Sequence, residues 1–541
     1  MYINFCERDD RVKEYLKRYR GHALLVGLLV FLLHGAKLNS DIIGIDTEDL
    51  IFWGKDFYGG WLHTGRHGLV FLKHLFGNAE FNPYFTGIVT LLLFTAAVSL
   101  LLGLWDRTGG RTGLWGWCCG GLLLISHPAM VEQFYFSLQS MEICMAMGMT
   151  ALALWLSLRW AEERRTVFGA GSVGILLLTF STYQSFVVMY IFGAASLVLL
   201  QALGEISEGK KLTERTLIRR VLSYCILFAI AFLLNTLITK LFFGSSDYLS
   251  NQIAWGKLSI KDCLRDIAAH VFKAFTGYGS CFYSAGLGIL AVWDLVWLTL
   301  FLRKNCRERK GVFFLILFCY LALLGVPFMM TLALGHTPAM RSQLALPGVT
   351  GFLGYLSVVL AGSGEEKAGE SRDRKSKDKK RKDRFYRAAF GCAAAICLVT
   401  GMEQAKATES LYYTDSCRSE QDIALGRSLI ERIEQVNPEK YNLPVIVIGG
   451  REFQGNRSCV TGEIIGRSFF NYDRDVEPIA YWSTKRALGF LHTLGADYER
   501  IPMERVGEGV EYSLDMPRWP AEGSVRVING MIVIKLSGNL E

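Results

Sequence analysis

The sequence predicts a mainly α-helical polytopic membrane protein with about eleven transmembrane helices and a smaller α/β domain after residue 402. Three observations carry that expectation. Half of the 541 residues are apolar, and they fall in blocks rather than at the spacing of a soluble core. Most blocks approach the roughly 20 residues that a helix needs to cross a hydrocarbon layer. Beyond Gly401 the blocks stop and a water-soluble composition takes over.

Taken in order, the apolar blocks run over 22–38, 84–105, 112–126, 139–160, 166–181, 183–201, 221–243, 285–302, 312–334, 343–362 and 386–402. The first lacks a small-residue cleavage site and is followed by many more, so it reads as a retained helix and not a secretory signal. The connecting loops alternate in character. The N-terminal segment (Arg8, Arg11, Lys13, Lys17, Arg18, Arg20) is basic, as are the loops around 107–111, 159–165, 210–220 and 303–310. The intervening loops around 127–138 and 181–184 hold no Lys or Arg. That bias places the N-terminus in the cytoplasm and, with an odd number of spans, the C-terminal domain outside the plasma (inner) membrane. The net charge of +8 has the same source, most strongly the run Ser371–Arg384. It fits a topology determinant touching anionic lipid, and no nucleic-acid partner is expected. Most of the 13 cysteines lie in apolar blocks as small hydrophobes, while Cys417 and Cys459 could pair.

Residues 1–402 are thus expected to form the membrane domain and 403–541 the extracytoplasmic one. In the latter, Asp422–Val436 has the pattern of an amphipathic helix, and LPVIVIGG from Leu443 that of a buried strand ended by glycines. VRVINGMIVIKLS from Val525 sets Asn529-Gly530 between two strand-like runs, a strong hairpin signal. Two long outer loops, 39–83 and 244–284, mix aromatic and charged residues. The segment from Trp255 has apolar residues at helical spacing and suits a helix lying in the membrane interface.

The first outer loop carries the chemistry. It holds Asp41, Asp46, Glu48, Asp49 and Asp56, then Arg66, His67 and Lys73. Acids followed by bases fit group transfer from a lipid phosphate: a carboxylate takes the acceptor proton and a guanidinium holds the leaving phosphate. The competing reading of Asp46-Thr-Glu-Asp49 is a helix N-terminus with Asp46 as its cap. Elsewhere, Glu132, Tyr183 and Gln184 could contact a sugar, and Arg341 could be a second phosphate ligand or a lipid anchor. Zinc spacing, a P-loop, a nucleophile elbow and a dinucleotide fingerprint are all missing from the sequence, and the lack of a soluble nucleotide-binding domain argues against a cytosolic nucleotide-sugar donor.

IDTEDLIFWG and LHTGRHGLVFLKHLF in this loop, STYQSFVVMYI at the sixth span, and LPVIVIGG, EIIGRSFFNYD and MPRWPAEGSV near the end together give the chain a likeness. It resembles the GtrII-type glucosyl transferases, membrane proteins that modify O-antigens and other cell-surface polysaccharides. The resemblance implies a GT-C-like architecture, a polyprenyl-phosphate-linked sugar donor, a surface glycan acceptor and inversion at the anomeric carbon. It places the essential carboxylate at Asp46 or Glu48, with Asp49 in reserve, and the donor phosphate on Arg66. Some members carry adjacent aspartates where Thr47 and Glu48 separate Asp46 from Asp49 here, so the base stays open among the three. On this reading Lys73 and Arg341 assist with the phosphate and Trp53, Tyr58 and Trp61 stack on sugar rings. No cofactor is required, although the clustered acids could hold a divalent metal. The rival readings are a lipid-sugar flippase, which calls for internal repeats and interrupted helices, and a non-catalytic polysaccharide-assembly component.

Overall fold

The computed structural model describes residues 3–38, 42–109, 112–244, 251–362, 377–439 and 441–538, with side chains from residue 17 and, in the last long helix, from 384. Asp41, the side chains of Arg8, Arg11 and Lys13, and those of residues 371–383 of the basic run lie outside the described residues. The chain is mainly helical. Helices α1 (Ile3–His34), α2 (Thr47–Trp53), α3 (Tyr58–His63), α4 (His67–Leu75), α5 (Pro83–Gly109), α6 (Gly113–Ile125) and α7 (Ala129–Tyr135) come first. They are followed by α8 (Ser137–Glu163), α9 (Thr166–Thr182), α10 (Ser185–Ser207), α11 (Glu214–Ile238), α12 (Ile260–Thr276), α13 (Gly286–Asn305) and α14 (Lys310–Gly325). Next come α15 (Met329–Leu334), α16 (Ala345–Gly362) and α17 (Lys377–Val436).

Each expected apolar block lies on helical backbone. Among the described residues nine helices are long and apolar enough to cross a membrane, ten if the bent pair α6–α7 is one span. The 17-residue α9 falls short of that length. The α6–α7 pair bends by 55°, an interruption that the sequence reading did not anticipate. It follows from Pro128, whose ring cannot continue the preceding turn. Their positions are set by which faces are apolar. Leu222, Leu233 and Leu237 on α11 and Phe314 and Phe318 on α14 stay exposed, as lipid-facing side chains do. By contrast, almost all of α16 is buried among its neighbours. It reaches α6 through small residues: a β-carbon on Gly351 would stand 2.7 Å from Leu124 Cβ and 2.8 Å from the Gly120 carbonyl oxygen. Such contacts let two backbones approach where lipid offers no hydrophobic drive for association.

A helix is present in the segment that follows Trp255, as α12. Ser259 caps it, accepting from the Asp262 N–H at 3.2 Å, and Ile260, Leu264 and Phe272 remain exposed along it.

Helix α17 corrects the expectation of a separate helix from Asp422. It runs unbroken for 60 residues, about 90 Å at 1.5 Å per residue, and the change of composition at 402 coincides with no helix end. Arg418, within this helix, is wholly buried. It reaches Asp415 (2.6 Å), Asp422 (3.3 Å) and the Ile43 carbonyl (3.1 Å), and so ties the long helix to the start of the first loop.

After α17 the chain forms strands β1 (Val445–Ile448), β2 (Val525–Ile528) and β3 (Met531–Lys535), with helices α18 (Tyr481–Thr493) and α19 (Val506–Tyr512) between β1 and β2. The sheet order is β1-β3-β2, with β1 parallel and β2 antiparallel to β3. Asn529 (φ 45°) and Gly530 (φ 70°) make the two-residue turn, both in the left-handed region that a type I′ hairpin demands. Cys417 and Cys459 are both free, so the expected pairing does not form.

The α6–α16 contact gives a prediction. Gly351→Leu should push the two helices apart at a cost of about 1–3 kcal/mol or more, seen as a lower thermal midpoint in detergent. Gly391→Ala, where nothing lies within 4 Å, should not lower it and should raise it slightly, since alanine favours a helix over glycine by up to about 1 kcal/mol.

Candidate active site

Asp46 turns the chain into α2 with φ 67°, a left-handed conformation uncommon for a non-glycine residue. It stands at the N-cap position, yet its side chain makes no capping hydrogen bond. The capping alternative therefore fails, because the carboxylate is engaged elsewhere. The first turn of α2 sets Glu48 and Asp49 beside it. One oxygen from each of the three acids lies within 4.8 Å of the others.

The groups that meet these acids come from the C-terminal domain. Arg486 on α18 places Nη1 3.0 Å from Asp46, 2.6 Å from Glu48 and 3.2 Å from Asp49. Its Nε donates to Asp473 at 2.8 Å, and the neighbouring Lys485 donates to Asp49 at 2.7 Å. Helix α18 comes this close through Gly489, where a β-carbon would sit 3.0 Å from Glu48 Cγ. A metal ion held by the three acids would compete for the space that the guanidinium fills.

Four carboxylates face two cations, so the cluster is electrostatically relieved if one acid keeps its proton. Glu48 is that acid. It is fully buried and its second oxygen has no partner. Burial, with Asp46 and Asp49 adding to it, pushes its carboxyl up to about 8 against the pull of Arg486. Asp49 is nearly buried and divided between two cations, whereas the Asp46 side chain is 39% exposed. Of the three first-loop acids Asp46 is the most exposed, and Asp473 opposite it is 33% exposed.

The remaining expected residues fall into separate places. Arg66 makes no ion pair with the three acids among the described residues. Its guanidinium carbon lies 5.2 Å from the centre of the buried Tyr183 ring, and Gln184 donates to the Thr64 carbonyl at 2.9 Å. Lys73 is buried and paired with Glu142 at 3.2 Å. Tyr58 donates to the Ala79 carbonyl at 2.5 Å and packs with Trp61 in the core. Trp53 is about half exposed. Glu132, buried, accepts the Glu463 N–H at 2.7 Å, while Arg341 lies over the Phe136 ring at 4.4 Å.

Sequence reasoning missed Arg486, Lys485 and Asp473. The adjacent Lys485-Arg486 pair on an amphipathic helix was the available signal, but its partners lie more than 430 residues away.

The raised Glu48 carboxyl has a pH signature. The folded protein holds this proton more tightly than the unfolded chain, so its stabilising contribution is complete below about pH 4.5 and lost as pH rises through about 8. The thermal midpoint should decline across that window, and Glu48→Gln should remove that part of the decline. An identical slope in the variant would mean that Glu48 is ionised throughout.

A family model described as Glucosyl transferase GtrII matches residues 35–360. No curated protein and no solved structure matches the chain. The matched region contains Asp46, Glu48 and Asp49 and ends before Asp473, Lys485 and Arg486. It extends over more than half of the sequence, and on that match the chain belongs to the GtrII glucosyl transferase family.

Proposed function

We propose that this family member transfers glucose or another hexose from a polyprenyl-phosphate donor to a cell-surface polysaccharide. The reaction takes place at the outer face of the cell membrane, with inversion at the anomeric carbon. The observation that carries the reading is the gathering of Asp46, Glu48 and Asp49 within the family-matched region, with Asp46 the most exposed of the three. In the step, the acceptor hydroxyl gives its proton to Asp46 as its oxygen attacks the anomeric carbon. The bond from that carbon to the phosphate oxygen breaks, and its electron pair leaves with the phosphate. Glu48, protonated, and Asp49, paired, hold Arg486 in place, so Asp46 keeps its position through the reaction. The C-terminal domain covers the acids from outside.

The bent α6–α7 pair favours a second reading as a lipid-sugar flippase, since broken helices line many transport sites. Purified protein given a polyprenyl-phosphate glucose separates the two. The enzyme releases polyprenyl phosphate in the presence of an acceptor glycan, whereas a flippase moves the donor without turnover. Under the enzymatic reading Asp46→Asn should lower the transfer rate by roughly 10²-fold or more while the protein remains inserted. A full rate in that variant would remove Asp46 from the role of base. Unchanged surface glycan in cells carrying it would favour the assembly-component reading instead.

A further inference from the structure

A second polar feature lies beside the acid cluster. Where α1 gives way to the first loop and α5 begins, a small cleft opens. Lys37, Pro83, Tyr135, Ser137, Tyr412 and Asp415 line it. Its walls thus come from the ends of two candidate spans, from the α7–α8 junction and from the long helix α17.

The polar groups in this cleft are incompletely used. The Lys37 ammonium donates to the Phe134 carbonyl at 2.7 Å, one of three N–H donors that it carries. Ser137 Oγ is buried without a hydrogen-bond partner, a state that native proteins seldom leave unexplained. Asp415 accepts from Arg418 through one oxygen, Oδ1, which leaves Oδ2 for another donor. Arg418 also reaches Asp422, whose other oxygen is held by Ser468 at 2.5 Å. Arg418 carries one charge against these two acids, so Lys37 supplies the second positive charge of the group, and it retains two N–H donors beyond its bond to Phe134.

The position matters as much as the composition. Lys37 closes the first candidate span and Pro83 opens the second, so the cleft sits where a membrane's apolar layer ends and lipid phosphates lie. Ile42 also lines it, and Ile43, the next residue, is fastened by Arg418. Asp46 follows three residues later. The cleft and the acid cluster therefore flank one short stretch of chain.

We infer that this cleft receives the phosphate-bearing end of the lipid donor, with Lys37 meeting the phosphate and Ser137 and Asp415 meeting hydroxyls of the attached sugar. The inference rests on the functional reading above and deepens it, because it moves the donor phosphate from Arg66 to Lys37. Lys37 neutralises the charge that grows on the phosphate as the bond to the anomeric carbon breaks, which is where a fixed cation accelerates such a step.

Two measurements on the full chain test it. In the first, a short-chain prenyl phosphate competes with polyprenyl-phosphate glucose. Lys37→Met should raise the KM for the donor and weaken inhibition by the prenyl phosphate roughly 10- to 100-fold, the worth of a charge-assisted hydrogen bond, and Lys37→Arg should recover most of it. In the second, Ala36→Cys, at the rim of the cleft, is labelled with a thiol reagent and read by site-resolved mass spectrometry. Prenyl phosphate should slow that labelling with Lys37 intact, so the test holds even where Lys37→Met fails to fold. Unchanged KM and inhibition in Lys37→Met, or labelling indifferent to prenyl phosphate while the protein still turns over donor, would overturn the cleft assignment alone. A wild-type protein that neither binds prenyl phosphate nor releases it from the donor would overturn the functional reading together with it.

Discussion

The guanidinium of Arg486, set among four carboxylates, is the contact on which the rest of the site depends. Three of those carboxylates belong to the first loop and the fourth, Asp473, to the C-terminal domain. A buried cation of this kind contributes little net stability against a well-packed apolar alternative, because desolvation offsets most of its attraction. What it supplies is definition. It fixes the orientation of α2, holds α18 against the membrane domain and makes a protonated Glu48 the least costly arrangement of charge.

The same economy runs through the molecule. Lys73 answers Glu142 with help from Asn78 at 2.8 Å, Arg418 answers Asp415 and Asp422, and Asp294 within α13 accepts from Ser357 at 2.6 Å. Each charge that would be expensive in an apolar setting has a partner inside the protein. Cations so committed cannot also serve a substrate. That constraint, more than proximity in sequence, sorts the basic residues of the first loop into those that hold the fold and those that remain for a ligand.

The parts of this arrangement written in local pattern were legible. Apolar blocks located the helices, Asn529-Gly530 located the hairpin, and the run from Leu443 located β1, because each depends on neighbours within a few residues. The acids of α2 stood out for the same reason. Their partner did not: Arg486 meets Glu48 across 438 positions, and no periodicity encodes such a pairing. The burial of Tyr58 and Trp61 was likewise not written in local pattern. An aromatic-rich loop looks like a binding surface until packing decides which rings are covered.

The uninterrupted α17 has a mechanical consequence. A rod of about 90 Å that begins among the apolar helices and ends beneath the sheet transmits motion with little loss. Pivoting it by about 5° at one extremity carries the other through roughly 8 Å. Arg418 pins it part-way along to the loop that leads to Asp46, like the fulcrum of a lever. Any tilt of the helix would thus be felt at the loop that holds the acids.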